Sequence, residues 1–112
     1  MTRSLSTVFL LLLAFAAQAH TGLKASSPEP DTTVAAPRAL ELTFSGDVRL
    51  TSVTLADSMG REKHLDAVPT AVASKFSLAI HEPLSPGKHT VVWRAVGGDT
   101  HIVSGEFAFT VR

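Results

Sequence analysis

The feature that most constrains this chain is a two-residue rhythm of apolar and polar side chains, laid out in short runs and interrupted by turn residues. Leu40-Glu41-Leu42-Thr43-Phe44, Val53-Thr54-Leu55 and Phe76-Ser77-Leu78-Ala79-Ile80 each alternate, so each presents one apolar face when extended. Residues 90–96 form a longer β-branched run around Trp93, and residues 107–111 alternate large apolar groups; both are predicted as central core strands. Between them stand Ser27-Pro28-Glu29-Pro30-Asp31, Ser45-Gly46-Asp47, Asp57-Ser58-Met59-Gly60, Leu84-Ser85-Pro86-Gly87 and Gly97-Gly98-Asp99, all read as turns. Sustained apolar spacing at three and four is missing after residue 20, which predicts very little helix. Short strands at intervals of roughly ten residues indicate an all-β fold, an antiparallel sandwich of immunoglobulin-like type, with a barrel as the competing architecture.

Residues 1–19 are better read as an address than as part of that fold. Arg3 supplies a positive start, and residues 8–17 give about ten apolar positions, too few to span a bilayer of roughly 30 Å as a helix. Ala17-Gln18-Ala19 has the small-x-small pattern of a signal-peptidase site. The expectation is a cleaved signal peptide over residues 1–19 and one compact domain over residues 20–112, exported to a periplasm. Ten basic and ten acidic side chains balance, which argues against nucleic acid or an anionic membrane surface as the main partner. The chain has no cysteine, so it forms neither disulfides nor a thiolate metal site.

Cleavage after Ala19 exposes His20 as a terminal histidine, whose free amine and imidazole Nδ1 close a chelate ring on a metal. The amine, with a reference pKa of about 7.7–8.0, must lose its proton to bind, so loading weakens in acid. A second part of the site is expected at Asp99-Thr100-His101, where alternation in an extended segment sends Asp99 and His101 to one face. Gly97-Gly98 is read as freeing the backbone there to turn tightly and approach a neighbouring segment. A terminal histidine or an Asp-x-His triplet carries little weight alone. Together, in an exported β domain, His20, Asp99 and His101 offer nitrogen and oxygen donors suited to Cu(II).

With those residues in view, the chain resembles the CopC family of periplasmic copper-binding proteins. The resemblance runs through His20-Thr21-Gly22-Leu23-Lys24-Ala25-Ser26-Ser27-Pro28-Glu29-Pro30-Asp31, Leu40-Glu41-Leu42-Thr43-Phe44-Ser45, Leu84-Ser85-Pro86-Gly87-Lys88-His89-Thr90-Val91-Val92-Trp93-Arg94 and Asp99-Thr100-His101-Ile102-Val103-Ser104-Gly105-Glu106-Phe107-Ala108-Phe109. It implies a Greek-key β-sandwich holding one Cu(II) per chain through His20, Asp99 and His101. Some members also hold Cu(I) on clustered methionines, soft ligands for the reduced ion. Here Met59 is the one methionine beyond Met1, so no methionine-rich Cu(I) site is expected.

The expected function is a monomeric Cu(II) carrier or buffer in copper resistance or uptake, not an enzyme, that passes its ion to an inner-membrane transporter or another periplasmic copper protein. The alternative is a histidine-brace copper monooxygenase; the absence of tyrosine and of an aromatic platform for a polymer substrate speaks against it. A sandwich used purely for adhesion would bind no metal tightly. His64, His81 and His89 are expected as solvated surface residues, with His81 and His89 flanking one turn and able to face each other as a weak site. Trp93 is expected in the core.

Overall fold

The computed structural model describes residues 22–112. The proposed signal peptide and His20 lie outside the described residues. Six strands follow in order: β1 (Leu23–Ser27), β2 (Thr33–Val34), β3 (Ala39–Asp57), β4 (Ala73–Ala79), β5 (Gly87–Gly97) and β6 (Ile102–Val111), with no helix among the described residues. The all-β fold expected from the alternation is present as a curled sheet, a Greek-key sandwich in which β3 belongs to both layers. Its first half pairs with β1 and β4, and its second half with β5, which pairs with β6.

β3 corrects the sequence reading most. Ser45-Gly46-Asp47 was expected to be a turn between two strands, yet one strand of 19 residues runs through it. Its pairing with β4 shifts register between Thr43 and Val48, so the small residues bend the strand from one layer into the other without ending it. A second register shift, between Leu50 and Ser52 against β5, has a visible effect on burial. Inward positions fall on Leu40, Leu42, Phe44, Val48 and Leu50, then on Val53 and Leu55. The bulge adds one residue and moves the apolar face from even to odd numbers.

A smaller departure is β2, which pairs in parallel with β6 through Thr33 with Thr110 and Val34 with Val111. The expectation was antiparallel throughout. β2 is reached from β1 by a proline-containing corner, with the Asp31 N–H donating to the Ala108 carbonyl at 2.7 Å. No hairpin joins β2 to β6, so no short turn dictates their relative direction.

The core lies between the layers, with Leu42, Phe44, Phe76 and Leu78 facing Val91, Trp93, Phe107 and Phe109. Trp93 is 5 % exposed, as expected, and the Phe44 ring meets it edge-on at 5.1 Å. Gly105 sits directly across from Trp93 on β6. A Cβ there would come within 2.7 Å of the indole Cζ2, so only glycine fits beside the ring.

His89 was expected at the surface and is instead 1 % exposed. It shares the inward face of β5 with Val91, Trp93 and Ala95, stacking on Phe109 with ring centroids 5.7 Å apart. Its Nδ1–H donates to the Gly87 carbonyl at 3.0 Å, while Nε2 finds no partner among the described residues.

Candidate metal centre

β5 and β6 are joined by the four-residue connection that carries Asp99 and His101. The Gly97 N–H donates to the His101 carbonyl and the Thr100 N–H to the Gly97 carbonyl, both at 3.0 Å. The segment is therefore a closed turn and not the extended run expected, so alternation is not what brings the two side chains together. Thr100 carries the left-handed backbone, with φ of 67°. Gly98 was expected to serve a close approach, but the space where its Cβ would stand is open. A β-branched residue in the left-handed region is strained, and such strain concentrates at functional sites.

The turn brings Asp99 and His101 together more directly than the sequence reading required. Asp99 Oδ1 accepts the His101 backbone N–H at 3.2 Å, and Oδ2 accepts the His101 Nδ1–H at 2.7 Å. The side chains are 57 % and 75 % exposed. The imidazole hydrogen bond, followed by that from the His101 backbone, holds the Asp99 carboxyl below the usual carboxylate range. With Nδ1–H on the carboxylate, the His101 Nε2 lone pair faces away from Asp99, so the two side chains reach one ion together only once this hydrogen bond opens. Each carboxylate oxygen accepts one hydrogen bond here and retains a second lone pair.

The third expected donor, His20, lies outside the described residues. Among the described residues no three histidine, aspartate or glutamate side chains form a metal-holding group. The topology nevertheless gives the start of β1 a definite address. β4 occupies one edge of β3 on both sides of the bend, pairing with Thr43 and with Val48. β1, paired with residues 41–44, and β5, paired with residues 48–57, therefore share the other edge, one after the other. The N-terminal end of β1 points at Gly97, the residue opposite Val48 and the first of the turn.

Ser45 holds that end in place: its Oγ accepts the Gly22 N–H at 3.1 Å, and its own N–H donates to the Gly22 carbonyl at 2.9 Å. Sequence reasoning assigned Ser45 to a turn and gave it no role, because only pairing between distant strands reveals one. His64 and His81 lie at the surface as expected, but the facing pair is not the one suggested. His81 does not face buried His89; its ring centroid lies 5.3 Å from that of His64.

Comparison with known proteins adds an independent line. Residues 23–112 match the CopC domain. Copper resistance protein C of Escherichia coli is 34 % identical over 110 residues, covering 89 % of this chain and 87 % of that protein. Copper resistance protein C of Pseudomonas syringae pv. tomato is 32 % identical over 111 residues, 91 % of this chain and 88 % of that one. Among solved structures, PcoC, a methionine-rich copper resistance protein from Escherichia coli, superposes with a TM-score of 0.69 at 34 % identity, covering 84 % of this chain and all of that one (100 %). CopC from Methylosinus trichosporium OB3b gives a TM-score of 0.71 at 30 % identity, with coverage of 82 % and 93 %.

Proposed function

The chain belongs to the CopC family, and from that premise we propose that it is a periplasmic Cu(II)-binding protein. Removal of residues 1–19 leaves a domain over residues 20–112 whose terminal His20 completes the site begun by Asp99 and His101. One Cu(II) is held tightly by the His20 amine and imidazole, the Asp99 carboxylate and the His101 imidazole. The protein serves as a carrier or buffer in copper resistance or supply, delivering its ion to a membrane transporter or another copper protein.

The observation that carries this reading is the edge of β3 shared by β1 and β5. His20 stands two positions before Gly22, a reach of at most about 7 Å. A chain continuing beyond Ser45 along that edge runs toward Val48 and its partner Gly97. Asp99 and His101 follow immediately. The donor set also fits the ion, since imidazole, amine and carboxylate suit Cu(II) better than the soft Cu(I) ion. Met59, 76 % exposed in its turn, has no second methionine in the mature domain with which to build a thioether site.

Binding rather than turnover is the consequence. Three side chains and a terminal amine fill much of a tetragonal copper plane, and no tyrosine is present to act beside it. The decisive experiment compares Cu(II) titrations of the mature chain starting at His20 with a chain carrying one extra residue before it. The extension turns the amine into an amide and is expected to lower affinity by at least about tenfold with the fold intact. Equal affinity in the two proteins would overturn the assignment of His20.

A further inference from the structure

Away from the β5–β6 turn, a second pair of imidazoles stands on the surface. The segment after the Asp57 turn comes back beside the end of β4, with Leu65 bridged to Ile80. The His81 N–H donates to the His64 carbonyl at 2.8 Å and the Asp66 N–H to the Ala79 carbonyl at 3.0 Å. This antiparallel ladder sets His64 directly across from His81. Residues 64 and 66 point to the same face because side chains alternate. Both histidine side chains are exposed, and their ring centroids are 5.3 Å apart with the planes tilted by 55°.

Asp66 determines which nitrogen of His81 is free. Its Oδ1 accepts from His81 Nε2 at 2.5 Å, while Oδ2 accepts the Ala79 N–H at 2.9 Å. With Nε2 bearing the proton toward the carboxylate, Nδ1 keeps its lone pair, as in the carboxylate–histidine–metal arrangement that orients ligands in established sites. Metal–imidazole bonds of about 2.0–2.1 Å place the centroids of two rings on one ion roughly 4.5 Å apart at a right angle and roughly 6.4 Å apart when linear. The observed spacing lies within that interval. Glu82 adds negative charge nearby: it accepts the His64 N–H at 3.0 Å and offsets Lys63 at 3.6 Å, which Asp57 also holds at 3.3 Å.

We propose that His64 and His81 form a second, weaker Cu(II) site, with Asp66 as the positioning residue that sets the His81 tautomer. Two imidazoles from adjacent strands are the ligands, and solvent fills the remaining positions. The ion is the divalent one that imidazole binds most strongly in the first-row order. This pair replaces the His81–His89 pair suggested by the sequence. It adds a loosely held ion to the single tight one, giving the chain a means of taking up copper beyond one equivalent.

The test is a Cu(II) titration of the mature chain followed by electron paramagnetic resonance. The expected result is a first component that saturates at one equivalent and a second, with superhyperfine splitting from two nitrogens, that fills afterwards. In His64→Ala and in His81→Ala the second component disappears and the first stays; both side chains are exposed, so the fold is retained. Asp66→Asn weakens the second component by roughly ten- to a hundredfold. In His101→Ala the tight component goes while the weaker one stays, which separates failure of this site from failure of the terminal one. Saturation at one equivalent in the wild type, or a second component unchanged in both histidine variants, would overturn the proposal.

Discussion

Two aspartate turns stand at opposite ends of the layer built on β5, and their first hydrogen bonds are the same. Asp57 Oδ1 accepts the backbone N–H of Met59, two residues on, at 2.9 Å, and Asp99 Oδ1 accepts that of His101, also two residues on, at 3.2 Å. The second oxygen makes the difference. Asp57 Oδ2 meets Arg61 Nε at 2.9 Å and Lys63 Nζ at 3.3 Å, and its side chain is 8 % exposed. Among the described residues Asp99 Oδ2 meets only the imidazole of His101, in the open. A carboxylate saturated by permanent cations has its charge spent on the fold. One facing an imidazole at the surface keeps donor capacity that a metal ion can use.

The largest expected effect follows at the exposed turn. Asp99→Ala or His101→Ala is expected to weaken tight Cu(II) binding by on the order of a hundredfold or more while shifting thermal unfolding little, because neither side chain supports the core. Asp57→Ala is expected to do the reverse. Isothermal titration beside a thermal melt of each variant checks both halves. A loss of tight binding in Asp57→Ala equal to that in Asp99→Ala would break the distinction between the turns.

The pairing of Asp99 with His101 was more legible in the sequence than the geometry that produces it. Asp99 and His101 were recognised as partners from their types and spacing, but through an extended strand; the turn closed by Gly97 and Thr100 depends on pairing between β5 and β6. The same limit applies to β3. Leu40, Leu42 and Phe44 announce a strand, whereas Ser45-Gly46-Asp47 has turn composition and is kept extended by β4 bridging both sides of it. His89 was legible in principle: it keeps step with Val91 and Trp93, and that parity outweighs the polarity of its ring. Ser45 offered no local signal, since its partner Gly22 becomes visible only once β1 is laid against β3.

Acid provides a second way to sharpen the comparison. The hydrogen bond from the Arg61 backbone comes first in holding the Asp57 carboxyl far below its ordinary value, with the Met59 N–H and the Lys63 and Arg61 side chains adding to it. A depressed folded-state value means that the carboxylate contributes stability above the unfolded value of about 3.9 and loses it as pH falls toward the folded one. The difference in melting temperature between wild type and Asp57→Asn is therefore expected to be full at pH 5–7 and to shrink below about pH 4. A difference independent of pH from 7 to 2 would show that the ionised form is not what stabilises this turn.

The smallest effect concerns the backbone between the two candidate ligands. Thr100 holds φ at 67°, and its hydroxyl donates to the Asp99 carbonyl at 2.6 Å. Thr100→Gly removes the left-handed penalty for a β-branched residue, of about 1–3 kcal/mol. Against that stand the greater freedom of glycine in the unfolded chain and the lost hydroxyl contact. The net expectation is a stabilisation of up to about 1 kcal/mol, read from urea denaturation of the metal-free protein. The same substitution loosens the turn that carries Asp99 and His101, so tight Cu(II) affinity is expected to fall a fewfold as stability rises. The corresponding position of the other turn needs no such exchange: its left-handed residue is already glycine, Gly60 at φ of 77°. A Thr100→Gly protein that gained stability without losing any affinity would show that threonine's strain contributes nothing to the positioning of the candidate ligands.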